Sequence, residues 1–266
     1  MRAAALALVT VSSLALGGCF QSSTLITVNG DGSGTLEQTL VFGGAALVQM
    51  RQIAPMTGTS SRAFDPFPEE QARQLAASLG PDVRYVSSTP ITTAEGLGRK
   101  ATYAFPDINQ LRINEQPPAP GGVSIRSKTL NTEQDIRFAL APQADGHLLL
   151  RILFPPAPRP TPPPKGPPPI VTADQVEQAK MMFAGARLSI AVQPSGEVVK
   201  TSSPWVDGRR VTLFDLQFDQ LMIDDATVAR LQGIHSVEEG KAALKDVPGA
   251  KINAGSEITI EFIPKK

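Results

Sequence analysis

The sequence predicts an α+β fold: an antiparallel β-sheet built from hairpins, with helices packed on one face. Three observations carry this prediction. Short stretches with apolar residues at every second position recur along the chain, many separated by turns rich in Gly, Asn or Asp. Few stretches show the 3.6-residue spacing of an amphipathic helix. Hydrophobic residues make up 41% of the 266 and charged residues 19%, which is enough apolar material for a packed core.

Residues 24–42 read as a hairpin. Leu25, Ile26 and Val28 lie in its first arm, and Leu36, Leu40 and Phe42 share one face of the second. The connection Asn29-Gly30-Asp31-Gly32-Ser33-Gly34 is rich in residues that tolerate positive φ. Residues 44–54 suit a short helix. A second helix covers 68–79, where Ala72, Leu75, Ala76 and Leu79 fall at i, i+3, i+4 and i+7. Pro68 suits its first turn, and Gly80-Pro81 ends it. Strands are expected at 83–88 and 99–105, then one helical turn over 107–112. Further strands are expected at 123–125, 136–140 and 148–154, with Ala144-Asp145-Gly146 turning between the last two.

Residues 155–169 contain ten prolines in fifteen positions. Proline lacks the N–H that a sheet or helix interior needs, so this stretch reads as a polyproline II spacer or loop. At about 3.1 Å per residue it would reach on the order of 45 Å when extended. A helix then starts at Thr172, where Thr172 and Gln175 form a capping-box pattern. Strands are expected near 187–193, 197–203 and 209–216, joined by Pro194-Ser195-Gly196 and Asp207-Gly208. Short helices near 225–231 and 236–245 and a strand at 257–263 complete the chain.

The N-terminus reads as an export signal. Arg2 precedes an apolar run, Ala3 to Leu16, broken by Thr10, Ser12 and Ser13. The run is shorter than the roughly 20 residues that a spanning helix needs. It ends in Leu16-Gly17-Gly18-Cys19, which resembles the lipobox of bacterial lipoproteins. The resemblance implies diacylglycerol on the Cys19 thiol, then cleavage before Cys19 by a peptidase that recognises Leu16, Gly17 and Gly18. Phe20 stands where inner-membrane retention in many Gram-negative species uses Asp, which favours the periplasmic face of the outer membrane. The expected organisation is a signal peptide at 1–18 and an acylated tether at 19–23. An α+β domain over 24–222, interrupted by the loop at 155–169, and a C-terminal extension over 223–266 follow.

Composition excludes several function classes. Lys plus Arg and Asp plus Glu number 25 each, so no net charge draws nucleic acid, and nucleic acid is not an expected partner. Cys19 is the one cysteine, and the two histidines, His147 and His235, lie far apart in sequence, which leaves no pattern for a metal site of His and Cys. Neither histidine has a recognisable partner motif for nucleophilic catalysis. The turn at 29–34 fits the first half of a calcium loop, but Leu40 stands where the closing Glu belongs. Glu69-Glu70, Asp224-Asp225 and Glu238-Glu239 are adjacent pairs, which diverge by about 100° on a helix and do not converge on one bond. The expectation is therefore no catalytic residue, no metal and no cofactor. Trp205, in a loop, suits a core role somewhat better than a contact role, and its neighbours Arg209 and Arg210 are as typical of a strand edge as of a head-group contact; together the three form the candidate contact surface.

Three segments together resemble the LppM-type domain of bacterial envelope lipoproteins. They are Thr27 to Thr35, Gly98 to Phe105 with Ile108 and Leu111 beyond it, and Leu188 to Val192 continuing through Gly196-Glu197-Val198-Val199 to Asp207–Thr212. The resemblance implies one domain whose sheet joins segments from both sides of the proline-rich stretch, and it transfers no catalytic residue. The function expected is a non-enzymatic binding or assembly lipoprotein of the envelope, membrane-bound through acyl chains on Cys19, with an envelope protein or lipid as partner. The alternative is a lipid or glycolipid carrier, and a hydrolase is the remote one.

Overall fold

The computed structural model describes residues 20–53, 65–94, 96–114, 135–156, 176–177, 180, 183–221, 243–245, 247–253 and 255–265. Leu16 to Cys19, residues 157–169 of the proline-rich stretch, the strand expected at 123–125, the helix expected near 225–231 and all but residues 243–245 of the helix expected near 236–245 lie outside them.

The first hairpin sets the frame. β1 (Phe20–Val28) and β2 (Gly34–Gly43) pair antiparallel from Phe20↔Phe42 to Val28↔Gly34. Ile26, Val28, Leu36, Leu40 and Phe42 share one face and are buried. β1 begins four residues before the expected strand, so the sheet starts directly after Cys19. β4 (Gly96–Phe105) extends the sheet from β2, and β3 (Arg84–Thr92) closes that side. On the other side β1 pairs with β8 (Arg187–Pro194) in parallel, and β8 pairs with β11 (Arg210–Gln217). β10 (Val206–Asp207) and β12 (Ala250–Ile252) occupy two ends of the free edge of β11. This is sheet A, and it joins segments from both sides of the proline-rich stretch.

A second sheet, B, has the order β5-β6-β7-β13-β9. It comprises β5 (Arg112–Asn114), β6 (Asp135–Pro142), β7 (Leu148–Leu153), β13 (Glu257–Ile263) and β9 (Glu197–Thr201). Ile136, Phe138, Leu150, Ile152, Ile258, Ile260 and Phe262 belong to the same core as the buried face of sheet A.

These observations correct the predicted architecture. Among the described residues the molecule is mostly β, in two sheets that share a core, and the helices are minor. α1 (Gly44–Ile53) contributes Ala46, Leu47 and Met50 to the core, and α2 (Glu69–Leu79) contributes Ala72, Ala76 and Leu79. Pro194-Ser195-Gly196 does not close a hairpin. It is the corner where the chain leaves sheet A for sheet B, since β8 pairs with β1 and β11 while β9 pairs with β13. The C-terminal segment is also not an appendage. β13 lies between β7 and β9, and β12 pairs with β11, so the last strands are woven into both sheets.

Two devices pin α2 and the loop before it to sheet A. Tyr103 donates its hydroxyl hydrogen to Ala72 O at 2.9 Å, and burial pushes that phenol well above its ordinary pKa. The buried Arg99 donates to Phe67 O, Ser88 Oγ and Asp65 Oδ2 at 2.7–2.8 Å. β4 also approaches β2 at a position that excludes a side chain. A Cβ on Gly98 would lie 1.9 Å from Leu40 O and 2.8 Å from Val41 Cα. Gly98→Ala is therefore expected to destabilise the fold by about 1–3 kcal/mol, the usual range for overpacking. An unchanged urea midpoint would show that the two strands separate without cost.

Candidate functional site

Period-two alternation divides each strand of sheet A between the core and the opposite face. With Ile26, Val192 and Val211 turned to the core, their sequence neighbours face the other way. On that face Gln21 and Ser23 of β1 lie beside Thr39 and Val41 of β2, Ser189 and Ala191 of β8, and Thr212 and Asp215 of β11. Small side chains at Ser23, Ser189 and Ala191 leave a hollow in the sheet. The result is a groove of about 370 Å³, a volume that suits a small ligand. Hydroxyls line its floor, and Arg187, Arg210, Asp207 and Lys251 stand around it.

Four of its five charges fall into two groups. Asp215, its side chain only 7% exposed, accepts a two-pronged contact from Arg187, with Nε to Oδ1 at 2.9 Å and Nη2 to Oδ2 at 2.8 Å. That hydrogen bonding holds the guanidinium still more firmly in its charged form. The Arg210 guanidinium and Lys251 ammonium, by contrast, have no hydrogen-bond or ion-pair partner among the described residues. Lys251 Nζ lies 5.9 Å from the centre of the Trp205 ring, at the outer limit of a cation–π contact. Two cations without such a partner therefore stand over a hydroxyl floor, and the fifth charge, the Asp207 carboxylate, lies beside Arg210 across the β10–β11 register.

The structure divides the contact surface expected from sequence. Arg210 lines the groove, and Trp205, 37% exposed, flanks it through Lys251. Arg209 instead donates to Ser195 O at 3.0 Å and braces the corner between the sheets. The Trp205 loop is held by Ser203, whose hydroxyl donates to Thr212 O and accepts from Trp205 N. Asn253 donates to Thr212 O and Leu213 O, fixing the β11 bulge that turns Leu213 into the core. Sequence reasoning missed Lys251, Arg187 and Asp215. Lys251 enters only through the pairing of β12 with β11, which no local pattern announces.

Other candidates are absorbed locally. In the glycine-rich turn, Asp31 Oδ1 accepts from Ser33 N and Ser33 Oγ, and these bonds hold its carboxyl below the usual pKa. Glu69 pairs with Arg73 and Glu70 accepts from Gln74, each one turn along α2.

No protein-family model matches the chain, and no curated protein matches it. Among solved structures it is similar to the NMR structure of the folded domain of the Mycobacterium tuberculosis LppM protein. That similarity has 11% identity and a TM-score of 0.32, over 76% of this chain and 84% of that chain. A likeness this distant carries no argument about function, which rests on the chain's own residues.

Proposed function

We propose that the protein is a lipoprotein of the cell envelope, anchored by acyl chains on Cys19 at the periplasmic face of the outer membrane. It binds a polar, phosphate-bearing envelope component in the groove of sheet A and does not turn it over. One observation carries this reading: Gln21, Ser22 and Ser23 line the groove and lie two to four residues after Cys19. At 3.8 Å per residue, Ser23 lies no more than about 15 Å from the acylated position. An anchored chain thus presents its groove at the membrane surface, where polar head groups are concentrated.

The lining supports binding of a head group more than of an acyl chain. Arg210 and Lys251 suit an anion, and Ser23, Thr39, Ser189 and Thr212 suit hydroxyls or phosphate oxygens. A carrier for acyl chains is served by an apolar cavity, and this groove sets only Val41, Ile190 and Ala191 among hydroxyl, amide and charged side chains. Hydrolysis by a hydroxyl needs an adjacent base. The groove's buried carboxylate, Asp215, is committed to Arg187.

Native mass spectrometry of the full chain, extracted from membranes in mild detergent, tests the reading. A discrete phosphorus-containing adduct is expected on the wild type. A variant carrying both Arg210→Glu and Lys251→Glu should bind it at least about tenfold more weakly, the effect of losing one charge-assisted hydrogen bond. A bare protein mass, under conditions in which a control lipid-binding protein keeps its ligand, would sink the proposal.

A further inference from the structure

Sheet B carries a second convergence of polar groups, remote in sequence from the groove. The hairpin between β6 and β7 places Asp145 at its tip and His147 directly before β7. Glu261, on β13, pairs in register with Leu149. Residues two apart share a face, so His147 and Glu261 both point away from Leu150, Ile152, Ile260 and Phe262 in the core. His147 Nδ1 lies 2.7 Å from Glu261 Oε1 and 3.3 Å from Asp145 Oδ2. One donor atom from each residue falls within 4.8 Å of the others.

We propose that Asp145, His147 and Glu261 form a binding site for a divalent transition metal, with zinc the fitting ion. Three arguments support it. Ligand atoms about 2.0–2.1 Å from a tetrahedral zinc stand about 3.3 Å apart, close to the two contacts of His147, and the carboxylates, within 4.8 Å, close in by side-chain rotation. One imidazole nitrogen with two carboxylates suits zinc, whereas magnesium and calcium prefer all-oxygen sets. The site is also held in advance. Asp145 Oδ1 accepts from His147 N at 3.0 Å, Gln143 N donates to His147 O at 2.8 Å, and Gly146 takes the positive φ that the tip requires.

A protonated His147 bridging two carboxylates would produce the same resting geometry. The hydrogen bond to Glu261 does raise the imidazole's pKa, with partial burial opposing and the charge of Asp145 adding. The two roles separate on adding metal. The sequence-based expectation is of no metal, on the ground that no pattern of His and Cys is present, and that ground does not reach a lone His completed by two carboxylates. The signal was invisible because Glu261 sits in an ordinary alternating strand far along the chain.

The test is zinc titration of the full chain in detergent, purified without a polyhistidine tag. It is followed by calorimetry and by nitrogen NMR of the imidazoles. The chain has only two histidines, so His235 serves as an internal control. The expected result is saturable one-to-one binding that shifts the His147 Nδ1 resonance and is not displaced by millimolar magnesium. His147→Ala and Glu261→Gln should each weaken it at least about tenfold, as loss of metal-site groups does. The NMR shift in the wild type stands even if a variant folds poorly. A His147 resonance unmoved by excess zinc, or variants that bind zinc as the wild type does, would overturn the site and leave a protonated clamp.

Discussion

On the function proposed, Cys19→Ser should remove the acyl mass from the mature chain and end its permanent attachment to the membrane. Burying acyl chain contributes about 0.8 kcal/mol per methylene, yet one chain alone holds a protein only reversibly. Two or three chains on one cysteine make release negligible. A serine hydroxyl is not the thiol on which lipoprotein processing depends, so the variant either keeps residues 1–18 or leaves the membrane unlipidated. Mass spectrometry of the N-terminal peptide distinguishes these outcomes. For the wild type the peptide should begin at Cys19 and carry the acyl mass. A wild-type peptide that begins elsewhere, or that ends in a free thiol at Cys19, would refute the anchor. The structure adds a consequence. Because β1 starts at Phe20, whose ring packs 5.3 Å from that of Phe42, almost no slack would separate an anchor on Cys19 from the sheet. Inserting a flexible Gly-Ser linker after Ser23 is therefore not a neutral extension, since it would break β1 itself.

Local chemistry was legible in the sequence, and pairing over distance was not. The turn at 29–34 holds the β1–β2 hairpin, α2 spans nearly the predicted residues, and β13 occupies 257–263 as expected. Each rests on a spacing of a few residues or on a turn residue with an unusual φ. Alternation shows which residues share a face but not which strand lies beside them. The parallel pairing of β1 with β8 and the change of sheet at Pro194-Ser195-Gly196 follow from that silence. The candidate groove suffered the same way. Trp205 and Arg210 were visible as residue types apt for binding, but the groove exists because four strands align Ser23, Thr39, Ser189 and Thr212 on one face. Lys251 and Asp215 meet across β11 and β12, as register partners drawn from distant segments.

The Arg187–Asp215 pair should respond unequally to loss of its two members. Asp215 is 7% exposed at its side chain and Arg187 50%. Removing Asp215 leaves a half-exposed guanidinium that water can solvate, so Asp215→Ala should cost about 1 kcal/mol, near the value of an exposed pair. Removing Arg187 strands a carboxylate that water reaches poorly. Breaking a buried pair this way costs about 3–5 kcal/mol when both groups are enclosed. The exposure of Arg187 lowers that to about 2–3 kcal/mol here. Urea unfolding of both single variants at neutral pH measures the difference. Equal costs for the two variants would mean that Asp215 finds other partners once Arg187 is gone. The buried charge beneath the groove would then be held by the sheet as a whole, not by one arginine.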